Sequence, residues 1–276
     1  YRESITIPAV GNGANAAVSA ARLGLHTAFV TDLGDDELGK KNIETLKENN
    51  VDCRWVEVHA GMKSNYHYVL QYKVDRTILV KHYAYTCAVP NDLEAPKWIY
   101  LTSIGEHGLA YHHEIATWLK THPETKLAFQ PGTFQIGFGT EKIKDIYAET
   151  DIFFCNKNEA RVILKTEETD IKKLLTALRA LGVATAVITD GVNGAYADDG
   201  NEVLFVPVYP DPKPPVGRIG AGDAFSSTVT VALALGKSLS EALTWGPVNS
   251  MSVTQHFGAR EGLLSQEKLL GYLESA

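Results

Sequence analysis

Cysteine is scarce in this chain, and the few cysteines present are far apart. Cys53, Cys87 and Cys155 are the three among 276 residues, and no two of them form a C-x-x-C pair. This count and spacing argue against a disulfide framework and a zinc knuckle. Three scattered thiols are typical of a reducing compartment, so we expect a cytoplasmic protein whose cysteines play no reactive role.

Long apolar runs and clusters of positive charge are also missing. No segment approaches the roughly 20 apolar residues of a membrane span, and no signal peptide opens the chain. Lysine and arginine number 26 against 33 aspartate and glutamate residues, which gives a net charge of −7. Because an acidic surface repels phosphate backbones, we expect neither a membrane nor a nucleic acid as a partner.

The sequence instead alternates short apolar strands with amphipathic helices. Hydrophobic residues make up 45% of the chain, enough to bury a sizeable core. Residue patterns predict strands at 5–10, 26–31, 98–102, 127–130, 152–155, 185–189, 196–198 and 203–208. They predict helices at 15–23, 36–50, 111–121, 170–181, 223–235, 240–255 and 266–274, and one that starts at 159. Repeated βα units predict one α/β domain over residues 1–276, with a mainly parallel sheet and helices on both faces.

An aromatic hairpin interrupts this alternation between about residues 65 and 86. Apolar and aromatic residues are dense over 66–72 and 77–83, and the four residues between them are typical of a turn. Cross-strand packing is the plainer interpretation of the aromatic face. The functional interpretation is a small β lid, completed by part of residues 1–10, that covers a substrate. Its exposed apolar face would also suit a homodimer contact.

One glycine-rich segment late in the chain joins an anion site to a carboxylate. Gly220, Ala221 and Gly222 precede Asp223 at the start of a predicted helix. Glycine lets the backbone approach a ligand closely, and the free N–H groups of a first helical turn bind anions. The helix dipole favours the charged form of a carboxylate placed there, so we expect Asp223 to stay ionised. Phosphorylation of a hydroxyl needs both a proton acceptor and donors around the phosphoryl group.

Residues 220–225, Gly-Ala-Gly-Asp-Ala-Phe, resemble the C-terminal signature of the ribokinase, or PfkB, family of carbohydrate kinases. The resemblance implies a ribokinase-like, three-layer α/β/α fold with a small β lid, and ATP and Mg²⁺ as cofactors. It implies a sugar or sugar-like substrate that is phosphorylated on a hydroxyl, with a primary CH₂OH as the expected acceptor. It assigns Asp223 as the catalytic base and Gly220, Ala221 and Gly222 to the loop around the transferred group.

A second segment near the start of the chain is similar to the glycine signature of the same family. It reads Gly-Asn-Gly-Ala-Asn over residues 11–15. The resemblance implies that Gly11, Asn12 and Asn15 contact substrate hydroxyls. Family members begin with an earlier strand that carries a substrate-binding aspartate. Because this sequence starts at Tyr1, close to the glycine signature, we expect that strand to be absent from it.

Two further segments resemble the family's nucleotide-binding motifs. Residues 156–159 are similar to its N-x-x-E motif, in which the asparagine reaches the nucleotide phosphates and the glutamate holds Mg²⁺ through water. Residues 189–194 resemble the loop at a strand end that cradles the nucleotide. A plain helix cap and a plain turn would explain the two segments equally well when each is taken alone. The nucleotide-binding residues that the resemblance implies are Asn156, Glu159, Thr189, Asp190, Gly191, Gly194, Gly222 and Asn249.

The segment just before the late signature departs from the family pattern. Gly217, Arg218 and Ile219 stand where many members carry an acidic residue and a threonine that help to bind a monovalent cation. A standard potassium site is therefore not expected. Arg218 is a candidate clamp for phosphate, because a guanidinium group pairs well with phosphate oxygens. An arginine that simply faces solvent is the plainer interpretation.

Three other functions remain open on the sequence. A G-x-G-x-x-A run at 11–16 opens a helix, and Asp32 follows Gly11 by 21 positions, as in a dinucleotide-binding oxidoreductase. Pro8 in the predicted first strand argues against that function. The aromatic hairpin would suit stacking on the base of a nucleoside such as adenosine. The altered residues before Gly220 would suit a binding protein that keeps the fold without turnover.

Overall fold

The computed structural model describes residues 7–72 and 75–275, in which helices and strands alternate around one large sheet. The strands are β1 (Thr27–Ala28), β2 (Thr31–Gly34), β3 (Val51–Asp52), β4 (Val56–His59), β5 (Tyr66–Tyr72), β6 (Asp75–Lys81), β7 (Trp98–Leu101), β8 (Lys126–Phe129), β9 (Ile152–Asn156), β10 (Thr185–Thr189), β11 (Ala195–Asp198) and β12 (Val203–Val206). The helices are α1 (Asn12–Arg22), α2 (Glu37–Glu48), α3 (Leu109–Thr121), α4 (Thr133–Phe138), α5 (Lys144–Ala148), α6 (Lys157–Leu164), α7 (Ile171–Arg179), α8 (Ala221–Ala234), α9 (Leu239–Thr254) and α10 (Gln266–Glu274).

The central sheet has the strand order β12-β11-β10-β9-β8-β7. The four strands β7 to β10 run parallel, whereas β11 and β12 form an antiparallel pair at one edge. The parallel strands are rich in large apolar residues because both of their faces are covered. Their carboxyl ends lie along one edge of the sheet, which is where ligands bind in folds of this class.

Helices cover both faces of this sheet, and each face has its own core. Phe129 and Phe153 lie in the core that includes side chains of α3, α5, α6 and α7. Ala128 and Phe154, one residue away on the same strands, lie in the core that includes side chains of α1, α8, α9 and α10. The predicted three-layer α/β/α arrangement with a mainly parallel sheet is therefore confirmed. Among the helices of residues 7–72 and 75–275, none is long and apolar enough to span a membrane.

Local sequence signals explain where several helices begin and end. Asp36 accepts a hydrogen bond from the Gly39 N–H and starts α2, and Ser238 pairs with Glu241 in the same way at α9. Gly24 follows α1 with a φ of 91°, a conformation that favours glycine. Within the α8–α9 pair, Gly246 allows close packing, since an added Cβ would lie 2.7 Å from the Phe225 ring.

Smaller sheets lie outside the central one. β1 pairs with β3 and β2 pairs with β4, both in parallel, over the first 60 residues. β5 and β6 form the predicted antiparallel hairpin, in which Tyr68 is opposite Leu79. The helical and central-sheet predictions agree with the structure to within a few residues. The exceptions lie near the start of the chain and in short elements.

Two predicted strands near the start of the chain are wrong or incomplete. Residues 7–10 form no strand, and the remainder of the strand predicted at 5–10 lies outside the described residues. The strand predicted at 26–31 is divided into β1 and β2, which pair with different partners. The patterns also missed β3, β4, α4 and α5. Each of these has two to six residues, too few for a hydrophobic period to be visible.

Candidate active site

The N-terminus of α8 is fixed by a close contact that only glycine permits. Gly220 precedes the helix with a φ of 79°, in the left-handed region. A Cβ at this position would lie 2.6 Å from the Ala259 carbonyl oxygen and 2.8 Å from its Cα. The chain can therefore turn sharply against residue 259 and begin the helix at Ala221. As a result Asp223 lies in the first helical turn, as the sequence predicted.

The carboxylate of Asp223 is buried and held by two amide groups. Asn15 Nδ2, from α1, donates to Asp223 Oδ2 at 2.8 Å. Gln130 Nε2, directly after β8, donates to Asp223 Oδ1 at 3.3 Å. The hydroxyl of Tyr100, on β7, donates in turn to Gln130 Oε1 and orients its amide. The structure therefore joins the two glycine signatures, which are about 200 residues apart, through the hydrogen bond between Asn15 and Asp223.

Burial raises the pKa of Asp223 above that of an ordinary aspartate, and the hydrogen bonds from Asn15 and Gln130 lower it in part. The expectation that the helix dipole alone keeps this group fully ionised was therefore too simple, because removal from water opposes the charged form. A raised pKa makes the carboxylate a stronger proton acceptor. This suits a general base, which works best when its pKa is closer to neutrality.

Two buried polar atoms beside this carboxylate have no partner among the described residues. They are Asn15 Oδ1 and the hydroxyl of Thr102, which follows the carboxyl end of β7. Thr102 lies near the first glycine signature, since a Cβ on Gly13 would be 3.6 Å from its methyl group. Buried polar atoms are normally hydrogen-bonded. Hydroxyl groups of a substrate would supply the missing partners.

The other two residues predicted to bind substrate lie at the start of α1. Gly11 is the N-cap of this helix, with a φ of 133°, and its carbonyl accepts the N–H of Asn15 at 2.8 Å. Gly11 is exposed and Asn12, the first helical residue, is half-buried. The signature thus presents an accessible backbone at one end and the buried Asn15 amide one turn further on.

A cleft lies at the N-terminus of α8. Ala221 and Gly222 line it from α8, and Thr189, Gly191 and Gly194 line it from the end of β10 and the loop that follows. The exposed side chain of Arg218 also lines this cleft. Four of the predicted nucleotide-binding residues, at 189, 191, 194 and 222, are therefore brought together here. Phe225, Pro247 and Met251 add apolar surface that the motifs did not indicate.

Asn156 and Glu159 form a reciprocal cap at the start of α6. Asn156 Oδ1 accepts the Glu159 N–H at 2.9 Å, and Glu159 Oε2 accepts the Asn156 N–H at 2.8 Å. Burial raises the pKa of Glu159, and the negative charge of Asp223 raises it further against the hydrogen bonds from Asn156. The two carboxylates are thus close enough to repel each other. A hard cation such as Mg²⁺, which prefers oxygen ligands, fits this position because it would offset that repulsion.

The remaining two predicted nucleotide-binding residues hold protein segments together. Asp190 Oδ2 accepts hydrogen bonds from Lys157 Nζ at 3.4 Å and Asn193 Nδ2 at 3.2 Å, within the loop that lines the cleft. Asn249 is fully buried, donates to the Thr228 hydroxyl at 2.8 Å and accepts the Leu264 N–H at 2.9 Å. The structure does not bring the Asn249 side chain into the cleft, because its amide joins α8, α9 and the segment before α10.

Gln130, Tyr100 and Thr102 are site residues that the sequence analysis missed. They belong to no short motif, and their positions at or just after the carboxyl ends of β7 and β8 were the only available signal. Both strands were predicted, so the polar residues at their carboxyl ends could have been identified as candidate site residues. What the sequence did not reveal is that these strands are neighbours whose ends face Asp223.

Comparison with known proteins identifies the family of this chain. A family model described as pfkB family carbohydrate kinase matches residues 3–266, nearly the whole sequence. The chain belongs to the PfkB family. Members of this carbohydrate kinase family are ATP-dependent phosphotransferases that act on sugar hydroxyls, so the chain is assigned to that class of enzyme.

Individual relatives of this PfkB kinase agree with the assignment. The ribokinase of Bacillus subtilis strain 168 is 27% identical over 279 residues, which cover 96% of this chain and 87% of that protein. The fructoselysine 6-kinase of Escherichia coli K12 is 26% identical over 251 residues and 90% of each chain. The solved structure of Arabidopsis thaliana ribokinase, complexed with ribose and ATP, has a TM-score of 0.84 and 21% identity, and covers 96% of this chain and 87% of that one. This likeness shows the ribokinase-like fold.

The oxidoreductase interpretation is not favoured by these findings. It requires a strand before the G-x-G-x-x-A run, and residues 7–10 form none. It also requires Asp32 to hold a ribose, whereas Asp32 Oδ1 is 2.7 Å from His59 Nε2. The run at 11–16 instead places Asn15 against the carboxylate of Asp223.

Proposed function

We propose that this PfkB kinase transfers the γ-phosphoryl group of ATP to a primary hydroxyl of a sugar or sugar-like molecule, with Asp223 as the general base. One observation carries the proposal. The Asp223 carboxylate contacts Asn15 of the first glycine signature, while the preceding residues Ala221 and Gly222 line the cleft at the start of the same helix. A base in this position lies between an acceptor hydroxyl and a nucleotide phosphate.

The acceptor is proposed to bind between the first glycine signature and the ends of β7 and β8. Asn15 Oδ1 and the Thr102 hydroxyl are the buried polar atoms that a polyhydroxylated substrate would pair with. Gly11 and Asn12 would contact further hydroxyls at the more open end of the same helix. Pairing of buried polar atoms gives strong selection for a hydroxyl, because an analogue without it leaves those atoms unsatisfied.

Phosphoryl transfer is proposed to depend on the first turn of α8. Asp223 accepts the proton of the attacking hydroxyl, and Asn15 and Gln130 keep its carboxylate oriented. The N–H groups of residues 221–223 have no intrahelical acceptor and would hold the charge that develops on the phosphoryl oxygens. Loss of one such donor costs about 10²–10³-fold in rate in other enzymes.

The nucleotide is proposed to lie along the cleft that contains Thr189, Gly191, Gly194 and Gly222. Arg218, on the same cleft, would pair with phosphate oxygens. Glu159 would hold Mg²⁺, and the ion would neutralise the β- and γ-phosphate charges during transfer. The segment 217–219 lacks the acidic residue and threonine that many family members use for a monovalent cation, so we propose that the standard potassium site is absent.

We also propose that residues 1–276 act as one kinase domain, with the hairpin of β5 and β6 as the lid over the acceptor. His82, just after β6, packs against Phe134 of α4 at a ring distance of 5.5 Å. The hairpin therefore reaches over the end of the sheet at which Gln130 and Asp223 lie. Closure of such a lid would exclude water, which otherwise competes as a phosphoryl acceptor.

A coupled ADP-release assay tests this function directly. The enzyme with ATP and Mg²⁺ is offered ribose, fructose, other sugars, sugar phosphates and adenosine, and the product is located by NMR. We expect turnover above the ATPase background with a sugar or sugar phosphate, and phosphate on a CH₂ carbon. Turnover of adenosine alone would replace the sugar by a nucleoside as acceptor. ATP binding without product from any acceptor would reject the proposed activity.

A further inference from the structure

Two carboxylates and an imidazole converge on the small sheet formed by β2 and β4. Asp32 and Glu57 are directly paired in the parallel register of these strands. His59 is two residues beyond Glu57 and therefore projects to the same face. One donor atom from each residue lies within 4.8 Å of the other two. His59 Nε2 is 2.7 Å from Asp32 Oδ1 and 4.0 Å from Glu57 Oε1.

This cluster has no part in the proposed kinase reaction. The groups around Asp223 come from α1, β7, the residue after β8 and α8, whereas the cluster lies on a separate two-stranded sheet. The side chains of Asp32 and His59 are 12% and 21% exposed, and that of Glu57 is 70% exposed. The cluster is thus largely buried at Asp32 and His59 and open to solvent at Glu57, which gives an ion a route of entry.

An aromatic ring holds the imidazole of this cluster in place. The Tyr85 ring packs on His59 at a centroid distance of 5.0 Å and restricts the imidazole. Imidazole and carboxylate are ligand types that zinc uses. The imidazole favours a first-row transition metal over Mg²⁺ or Ca²⁺, which prefer oxygen ligands.

We propose that Asp32, Glu57 and His59 form a site for a divalent transition-metal cation of the zinc type. Ligand atoms about 2.0–2.3 Å from a tetrahedral zinc ion are roughly 3.3–3.7 Å apart. The two separations at His59, 2.7 Å and 4.0 Å, lie on either side of this range. Small side-chain rotations would equalise them.

The proposed site would lie where the two ends of the lid meet. β4, which carries Glu57 and His59, leads into the hairpin, and Tyr85, which packs on His59, lies on the segment that returns from it. Asp36 already links this region, because its carboxylate accepts both the Ser64 hydroxyl and the Ser64 N–H. A bound cation would link β2 to β4 at the base of the lid and would stabilise the folded chain.

Zinc binding to the metal-free full chain tests the site. Competition with a chromogenic chelator, in the absence of nucleotide, should give one tight zinc ion per chain. We expect His59→Ala and Asp32→Asn each to weaken binding by at least about tenfold. Glu57→Gln should also weaken it, and this exposed position keeps the test valid if a buried substitution disturbs folding.

His113 supplies a matched control. Its Nδ1 is 2.6 Å from Asp145 Oδ2, so it forms another aspartate–histidine pair, but the pair belongs to no three-donor cluster among the described residues. His113→Ala should retain full zinc affinity and the rise in Tm on zinc addition, whereas His59→Ala should lose both. The proposal is overturned if the unmodified chain binds no zinc saturably, if His59→Ala or Glu57→Gln binds it equally well, or if His113→Ala loses it to the same extent.

Discussion

Burial of Asp223 makes its carboxyl group harder to ionise than an ordinary aspartate. The same rise in pKa makes the ionised carboxylate a stronger base. Burial raises its pKa, while the amides of Asn15 and Gln130 donate to it and lower the pKa in part. In the folded chain, ionisation of this group is therefore less favourable than in the unfolded chain. Below the pKa that Asp223 has in the unfolded chain, the group is protonated in both states. As the pH rises from that pKa through the higher pKa of the folded chain, the free energy of unfolding falls. At neutral pH this residue therefore lowers stability relative to an aspartate with an unchanged pKa.

Replacing this carboxylate should separate activity from stability. We expect Asp223→Asn to reduce kcat by at least about 10²-fold, because general base catalysis typically contributes 10²–10⁴-fold. ATP affinity should be retained, since the cleft-lining backbone is unchanged. Tm at pH 7 should be equal or higher, because a buried charge is removed. Steady-state kinetics, ATP titration and calorimetry measure the three quantities. Near-normal kcat would refute the assignment of Asp223 as the base.

Gln130 should set the pH dependence of the reaction as a positioning residue. Its hydrogen bond lowers the pKa of Asp223, so Gln130→Leu should raise that pKa further. The acid limb of the kcat/KM profile should then move to higher pH, and the plateau should fall about 2–10-fold, as expected for one lost hydrogen bond. Tyr100→Phe should shift the limb less and in the same direction, because it only frees the Gln130 amide.

The same measurement distinguishes positioning from a packing role. A substitution that merely loosens the site would lower the plateau and leave the acid limb where it was. An unmoved limb in Gln130→Leu, with a reduced plateau, would therefore contradict the proposed link to Asp223.

At the residue scale, the sequence revealed only the groups that belong to short motifs. Asp223 and Asn15 were predicted because each lies in a glycine-rich segment that resembles a family signature. Gln130 and Thr102 carry no such signal, and their importance depends on which strand ends are neighbours. The pKa shift of Asp223 was also beyond a local pattern, since burial in the folded chain decides its direction.

The start of α8 illustrates how one glycine controls an element. Gly220 has a φ of 79°, and a Cβ there would collide with residue 259. The left-handed conformation costs a non-glycine residue about 1–2 kcal/mol, and overpacking adds about 1–3 kcal/mol. The helix start, with the Asp223 carboxylate and the cleft-lining backbone, would have to shift to relieve the contact.

Gly220→Ala should therefore lower both stability and activity. We expect Tm to fall by at least about 5 °C for a domain of this size, as measured by calorimetry. Gly222→Ala is the matched control, because Gly222 is helical and its added Cβ would be no closer than 4.0 Å to Gln130 Nε2. Its Tm should be unchanged or higher, since alanine favours a helix. Equal Tm values for the two variants would contradict this role of Gly220.

At the element scale, length decided what the sequence could predict. The long helices α8 and α9 are buried along most of their length and were predicted to within two residues. Strand β10 was predicted with its observed bounds, because an apolar run lies between turn residues. α4, with six residues, has too few positions to show a period. The pairing of β1 with β3, and of β2 with β4, depends on tertiary contacts that no local pattern reveals.

At the scale of the whole molecule, the lid hairpin presents an apolar face that residues 7–72 and 75–275 leave exposed. His67 pairs with Val80 on one face, and His67 contacts His82, which packs against Phe134 of the kinase body. That face contacts the kinase body through His82, and Val69, Ile78 and Val80 on it are also exposed. The opposite face carries Tyr68, Leu70 and Leu79, and these side chains are exposed. We name these three residues the outer lid face.

We propose that the outer lid face joins two copies of the chain, because a two-stranded hairpin is only marginally stable alone and exposed apolar strands favour association. Sedimentation velocity should show a dimer at micromolar concentration, and Leu70→Lys with Leu79→Lys should give a monomer. Val162→Lys is the control, because Val162 on α6 is 62% exposed, as is Tyr68, but lies outside the hairpin. It should leave the dimer intact. A monomer at all concentrations, or equal dissociation by Val162→Lys, would show that the outer lid face makes no such contact.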